Sequence, residues 1–282
     1  MISKEDLAIL IIFYKPTEKQ MKNASLLAEY FKVFIVDNTP DVEASTLNLP
    51  VNVTYCPLHN NYGIARAQNE GIDIIKKKGY KGLIFLDQDS EPDVGVINGL
   101  LYAINELAVH DEKTIAVGPL IIDKETNNRY KTSQNIVSDY QKVTALISSG
   151  TIVRMDYLEY VGGMDESLFI DNVDHEWCWR AAKKGYSIYR ANKVLFPHKV
   201  GNKTHHFFGI QFLEAAPARY YYKTRNTILL LRRDYVPTKW KVKNVIRLFA
   251  TFFILPFFSM EPWLSFRNML KGFWDGINNK TL

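Results

Sequence analysis

Two carboxylates at alternate positions, Asp87 and Asp89 around Gln88, directly follow the apolar run Gly82-Leu83-Ile84-Phe85-Leu86. Where a strand stops and the chain turns, side chains at i and i+2 both reach one ligand. Hard oxygen donors of this kind suit Mg2+ or Mn2+, and such an ion bridges phosphate oxygens. A solvated turn is the plainer alternative, since Asp is common in turns. The strand in front and Ser90-Glu91-Pro92 behind argue for more than that. Asn60-Asn61-Tyr62-Gly63 opens a helix, where Gly63 permits close approach to the backbone and the helix N-terminus favours an anion. A plain loop and helix cap would use the same residues.

The run from Phe169 to Arg180 holds three carboxylates, Asp171, Asp174 and Glu176, among aromatics. With a helix starting near Val173, Asp174 sits in its first turn and Glu176 lies about 200° around from it. The two then face differently and hold different roles, one of them a general base if it reaches an acceptor proton. An acidic helix start complements the macrodipole, which accounts for the Asp but not for Trp177 and Trp179, a wall for a flat apolar ligand face. His198, after Leu195-Phe196-Pro197, is either a structural histidine or a third metal ligand beside two Asp. His205 and His206 are adjacent, a poor arrangement for chelating one ion, and are read as loop residues near the site.

The elements that must position these groups alternate. Residues 7–13, 33–36, 51–55, 82–86 and 115–120 form short continuous apolar runs, and residues 20–31, 64–78 and 94–107 carry helical spacing. This pattern predicts an α/β fold with a parallel sheet covered on both faces. Ligands in such sheets collect at the carboxyl ends of strands, where Tyr14, Asp37-Asn38 and Asp87 to Asp89 fall. GxGxxG and GxxxxGK[ST] are both missing, so dinucleotide and P-loop readings lack their phosphate loops.

The composition of the 282 residues, 47% hydrophobic and 23% charged, excludes a disordered chain, a collagen-like fibre and a disulfide scaffold. Cys56 and Cys178 have no CxxC spacing, which excludes a zinc ribbon and fits a reducing compartment. Residues 7–13 are too short for a secretion signal, and no stretch of 18 uncharged apolar residues suits a spanning helix. Charge divides the chain: residues 217–282 hold 12 of the 35 Lys and Arg but 3 of the 30 acids, and 14 of the 37 aromatics. A body over 1–216 thus carries a basic, aromatic helical extension over 217–282, attractive to nucleic acid or an anionic membrane surface. Residues 245–258 are too apolar for a nucleic-acid groove and the acidic body does not continue one, so no nucleic-acid partner is expected. A dimer contact is the alternative use of the extension.

Taken together the motifs resemble the family-2 inverting glycosyltransferases of the GT-A (Rossmann-like) fold, and among them the bacterial rhamnosyltransferases. The matching pieces are Val36-Asp37-Asn38-Thr39, Asn61-Tyr62-Gly63 with Asn69-Glu70-Gly71, Phe85-Leu86-Asp87-Gln88-Asp89-Ser90, Ile147-Ser148-Ser149-Gly150-Thr151 and Val161-Gly162-Gly163-Met164-Asp165-Glu166. Leu168-Phe169-Ile170-Asp171 leading to Val173-Asp174-His175-Glu176-Trp177, then Pro197-His198-Lys199-Val200-Gly201 and Tyr220-Tyr221-Tyr222 with Arg225-Asn226, complete the set. Phe13-Tyr14-Lys15-Pro16 departs from relatives that carry Asn near Tyr14.

The resemblance implies that Tyr14, Asp37 and Asn38 hold base and ribose, with Asn61 and Gly63 near the nucleotide. Asp87 and Asp89 would bind nucleotide and, with His198, a Mg2+ or Mn2+ ion. Asp174 would be the base, Glu176 a second carboxylate of the catalytic run, and Trp177 and Arg180 would line the acceptor side. The implied donor is dTDP-β-L-rhamnose, with UDP-glucose or UDP-galactofuranose as rivals. The implied acceptor is a polyprenyl-diphosphate-linked glycan for a cell-surface polysaccharide, reached by a cytoplasmic protein peripheral on the inner face of the membrane.

Overall fold

The computed structural model describes residues 1–41, 49–123, 138–198, 204–207, 210–213, 216–258 and 261–280. Strand β1 (Leu7–Phe13) is buried along its whole length. Side chains alternate across a strand, so Ala8, Leu10 and Ile12 enter one apolar layer while Leu7, Ile9, Ile11 and Phe13 enter another. Both faces are therefore covered, as the continuous apolar runs predict. Helix α1 (Glu18–Leu27) starts with a Thr17–Gln20 capping box. Then come β2 (Lys32–Asp37), β3 (Val53–Pro57), α2 (Gly63–Lys77), β4 (Gly82–Asp87), α3 (Val94–His110) and β5 (Thr114–Asp123). Helices α1 and α3 supply Leu27, Ile97, Leu100 and Ile104 to one layer, and α2 supplies Ala65, Ala67, Ile72 and Ile75 to the other. Gly71 in α2 is required by packing, because a Cβ there would stand 2.4 Å from Leu10 Cδ1.

Next follow β6 (Tyr140–Lys142), β7 (Ile152–Arg154), α4 (Met155–Val161), α5 (Val173–Lys183), β8 (Ser187–His198), β9 (Thr204–Phe207) and β10 (Ile210–Leu213). The main sheet has the order β3-β2-β1-β4-β7-β5-β8-β6. It is mixed rather than parallel throughout: β7 runs antiparallel to both β4 and β5, and β6 antiparallel to β8. Both reversed strands are three residues long, too short for an apolar run to announce them. The reversal has a consequence for chemistry. The loop that enters β7 lies at the edge where β1, β2 and β4 end.

The C-terminal helices are α6 (Pro217–Leu231), α7 (Thr238–Phe258) and α8 (Pro262–Ile277). Leu229 and Leu230 of α6, and Val236 after it, lie in an apolar layer of the body, so α6 is built into the body. Trp240 of α7 meets Trp179 of α5 edge to face at 5.1 Å between centroids. Helix α8 lies against α6 through glycines: a Cβ on Gly272 would sit 2.3 Å from the Tyr221 carbonyl oxygen, and one on Gly276 2.8 Å from Ile228 Cβ. Across this contact Tyr221 Oη donates to Asp275 Oδ2 at 2.8 Å. Among the described residues no helix is long and apolar enough to cross a membrane.

The close α6–α8 contact generates a stability prediction. Gly272→Ala sets a methyl group against backbone that cannot yield, and overpacking of this kind costs about 1–3 kcal/mol. Thermal unfolding should show a lower midpoint, and limited proteolysis faster cleavage near α8. An unchanged melt would mean that the helices separate without cost.

Candidate active site

The nucleotide side is a weave of short polar side chains at strand ends. Asp37, the last residue of β2, is buried. Its Oδ1 accepts from the Thr39 N–H at 2.9 Å and its Oδ2 from Tyr55 Oη at 2.7 Å. Burial, then the bond to Asp37, raises the Tyr55 pKa well above its usual range, so this phenol remains a donor. Asn38 accepts from the Tyr62 N–H at 2.8 Å and donates to Asn61 Oδ1 at 3.0 Å, which also accepts the Gly63 N–H at 3.1 Å. The start of α2 is thereby tied to the end of β2. Gly63 has φ +82°, and a Cβ would meet Phe169 at 2.6 Å. The Phe169 carbonyl in turn accepts from the Ile64 N–H at 2.8 Å. So the α2 N-terminus, read as an anion seat, already spends this N–H on protein backbone.

Tyr14 is exposed just past β1. Its N–H donates to Gln88 Oε1 at 2.8 Å, and its carbonyl accepts from Gln88 Nε2 at 3.3 Å. The middle residue of Asp87-Gln88-Asp89 therefore fastens the ends of β1 and β4 together. Asp87 is half-buried and Asp89 exposed, and their oxygens are the donor set Mg2+ or Mn2+ prefers. His198 closes β8, paired in parallel register with Asp123, at the same sheet edge. Its imidazole lies outside the described residues, as do Lys199-Val200-Gly201 and the side chains of His205 and His206. Among the described residues no three His, Cys, Asp or Glu side chains group to hold a metal.

The loop before β7 joins the two halves of the site. Ser149 Oγ accepts from the Asp87 N–H at 3.1 Å and shares a 2.7 Å bond with Ser90 Oγ. The neighbouring Ser148 N–H donates to Asp174 Oδ2 at 3.3 Å. Consecutive residues thus hold the end of β4 and the carboxylate that opens α5. Gly150, at φ +79°, provides the turn that permits this. The side chain of Asp174 keeps 23% of its surface accessible, and its Oδ1 accepts from the His175 N–H at 2.8 Å. The sequence motifs alone assign no role to Ser148, Ser149 or Gln88. A polar pair ahead of a glycine turn was the available signal.

Glu176 lies elsewhere. It is fully buried, its Oε1 2.8 Å from Arg180 Nε and 3.3 Å from Arg233 Nη1, and it accepts from Tyr235 Oη at 2.6 Å. Burial, then the bond to Glu176, pushes the Tyr235 phenol up to about 12. Arg180 also donates to the Val161 and Gly163 carbonyls, each at 2.6 Å. Trp177 is buried and donates to the Gly162 carbonyl at 3.0 Å, and Trp179 is buried between His175 and Trp240. Trp177, Trp179 and Arg180, expected on the acceptor side and as an aromatic wall, are thus engaged with partners inside the chain. Trp177 and Arg180 are held there by the carbonyls around the Gly162-Gly163 turn. The same turn receives Asn69 of α2, which accepts from the Met164 N–H at 2.7 Å and donates to its carbonyl at 3.0 Å.

Residues 24–162 match the family model described as Glycosyl transferase family 2. The dTDP-rhamnosyl transferase RfbF of Shigella flexneri is 32% identical over 255 residues, 84% of this chain and 83% of that protein. Among solved structures, S. aureus TarS 1-349 superposes with a TM-score of 0.56 at 14% identity, covering 96% of this chain and 80% of its own. GalNAc-T7 with UDP, GalNAc and Mn2+ gives a TM-score of 0.56 at 14% identity, covering 86% of this chain and 54% of its own. The chain thus spans about half the length of that structure. At such identities the structures share the fold alone, a GT-A fold. With that sheet, carboxylates gathered along its carboxyl edge, and a relative matched over most of both lengths, the chain belongs to glycosyl transferase family 2 and is a glycosyltransferase.

Proposed function

We propose that the chain moves L-rhamnose from dTDP-β-L-rhamnose to a hydroxyl of a polyprenyl-diphosphate-linked glycan, with inversion, in the making of a cell-surface polysaccharide. The reading rests on one observation above all: Ser148 and Ser149 hold Asp174 and the end of β4 side by side. A base candidate thereby stands next to the strand end where a donor diphosphate would lie. The likeness to a dTDP-rhamnosyl transferase supports the choice of sugar.

In this reading Tyr14, Asp37, Asn38, Asn61 and Gly63 seat the nucleotide. Asp174 accepts the acceptor hydroxyl proton as that oxygen attacks the anomeric carbon. The bond from that carbon to the diphosphate oxygen breaks on the opposite face, so one displacement gives an α-L-rhamnoside, dTDP and a protonated Asp174. Asp87 and Asp89, with His198, are the residues that would hold Mg2+ or Mn2+, whose charge offsets that of the departing diphosphate. Glu176 keeps α5 attached to the C-terminal segment and takes no proton from the acceptor.

The C-terminal helices supply the approach to such an acceptor. Val242, Ile246, Phe249 and Phe253 are exposed along one stripe of α7, and Trp263, Leu270, Trp274 and Ile277 along one of α8. Lys239, Lys243 and Arg247 are exposed on α7 and Arg267 and Lys271 on α8. Exposed apolar stripes with cations and interfacial Trp suit a helix lying in the headgroup region of an anionic bilayer. Each cation near the surface contributes about 1 kcal/mol. A peripheral place on the inner face of the cell membrane would bring the enzyme to a lipid-linked acceptor.

Four outcomes are expected. In an assay with dTDP-rhamnose, UDP-glucose and UDP-galactofuranose, only the first supports turnover, and NMR of the product shows an α-linked rhamnose. Asp174→Asn loses about 10²-fold or more in kcat with dTDP affinity kept, and Glu176→Gln lowers the melting temperature instead. Normal turnover by Asp174→Asn would remove the base assignment. Calorimetry with dTDP should show affinity that needs Mg2+ or Mn2+ and falls in Asp89→Ala; equal affinity in chelator would rule the metal role out. In flotation the protein should rise with anionic vesicles, less so as salt increases, and lose this when Phe249, Phe253, Trp263 and Trp274 become serine. A protein that stays behind at low salt would direct the stripes to a second copy of the chain.

A further inference from the structure

The segment between α4 and α5 is strained. Phe169, Asp171 and Asn172 have φ of 62°, 68° and 64°, in the left-handed region that non-glycine residues rarely occupy. With ψ −64° at Phe169 and the Ile170 N–H on the Leu168 carbonyl at 2.7 Å, the chain makes a γ-turn of the rare, high-energy hand. Strain of this kind costs about 1–3 kcal/mol per residue and persists only where the surroundings enforce it. Asp174 comes four residues after Ile170, the last residue of this turn.

What enforces it is α6. Asn226, fully buried, directs Nδ2 at three carbonyls of the turn: Leu168 at 2.9 Å, Ile170 at 2.7 Å and Asp171 at 3.0 Å. Its Oδ1 is taken by the adjacent Arg225, from Nε at 3.2 Å and Nη2 at 3.1 Å, which fixes which end of the amide faces the turn. Arg225 Nη2 also donates to the Ser167 carbonyl at 2.6 Å. The guanidinium lies 5.5 Å from the ring centroids of both Tyr221 and Tyr222, and Tyr222 stacks on Phe169 at 4.8 Å. One helical turn earlier, Arg219 pairs with Asp171 at 2.8 Å.

We infer that Asn226, oriented by Arg225, is a positioning residue for the transfer: it holds the strained turn so that Asp174 meets the acceptor hydroxyl. This rests on Asp174 being the base. Two unlike ends of one side chain are both used, and the carbonyls of Leu168, Ile170 and Asp171 converge on one amide group. General packing would ask for neither. The dipeptide Arg225-Asn226 thus acts on the chemistry through the turn it holds.

The test is steady-state and single-turnover kinetics of Asn226→Ala, with dTDP affinity measured in parallel. At a temperature where the variant is fully folded, kcat per folded site should fall about 30-fold or more, the scale of a misplacement under 1 Å. Affinity for dTDP and acceptor KM should stay within about threefold. Arg225→Lys, which keeps the charge and loses the fork, should fall between wild type and Asn226→Ala. Asn172→Gly, which eases the backbone at φ 64°, should restore about fivefold or more of the lost kcat in the Asn226→Ala background. A merely structural Asn226 would lower the melting temperature with kcat per folded site unchanged and no rescue by glycine, and that result overturns the inference. If Asn226→Ala does not fold, Arg225→Lys decides: full kcat in that variant overturns it. Asp174→Asn in the same assay separates the two levels: inactive Asp174→Asn beside normal Asn226→Ala removes only the positioning role, and active Asp174→Asn removes the base.

Discussion

Backbone groups that leave water must find partners, and the segment 162–172 enters the fold without a sheet ladder to provide them. Side chains from three helices meet that need. Arg180 takes the carbonyls of Val161 and Gly163, Trp177 that of Gly162, and Asn69 both polar groups of Met164. Arg225 and Asn226 take those of Ser167, Leu168, Ile170 and Asp171. The Phe169 carbonyl goes to the first turn of α2. Helices α2, α5 and α6 therefore converge on one irregular stretch of chain, and that stretch sets where α5 and its Asp174 begin.

Charges inside the fold do similar work. Glu176 has no access to water, so it is tolerable only because Arg180, Arg233 and Tyr235 surround it. Arg233 also pairs with Asp165. The Asp165 carboxyl stays below the usual range even though burial opposes this, because the Ser167 hydrogen bond and the Arg233 charge outweigh it. Breaking one partner of such a group costs about 3–5 kcal/mol, since the other charge is left buried. The segment following α6 is thus locked to α5, and the C-terminal helices hang from a part of the molecule that also carries the base candidate.

The family motifs consequently separate by task. Tyr14, Asp89 and the partly accessible Asp174 and Asp87 lie along the open edge of the sheet, where the proposed reading seats a nucleotide sugar. Asn69, Glu176, Trp177, Arg180, Arg225 and Asn226 spend their polar groups on partners within the chain and brace that edge. Seats built on packed elements hold reacting groups more closely than mobile loops do. The antiparallel β7 is what allows it here, because its entering loop touches the end of β4 through Ser149 and α5 through Ser148.

Local pattern was enough to determine much of this. Apolar runs and helical spacing recover β1, β2, β4, α2 and α3 within a few residues, because burial on both faces writes itself into consecutive side chains. The same reading places Asp87 at a strand end and Asp174 in the first turn of a helix that does start at Val173. The angular offset between Asp174 and Glu176 was legible too, though not which of them faced water. Only the tertiary structure decided that, since the answer lies with Arg233 and Tyr235, more than fifty residues away in sequence. It also decided the reversal of β6 and β7, whose three residues carry no period, and the inward turn of Trp177 and Arg180. The hold of Asn226 on a turn some fifty-five residues earlier was equally hidden. Each depends on unsatisfied backbone and buried charge meeting across the chain, a condition that no single stretch of sequence contains.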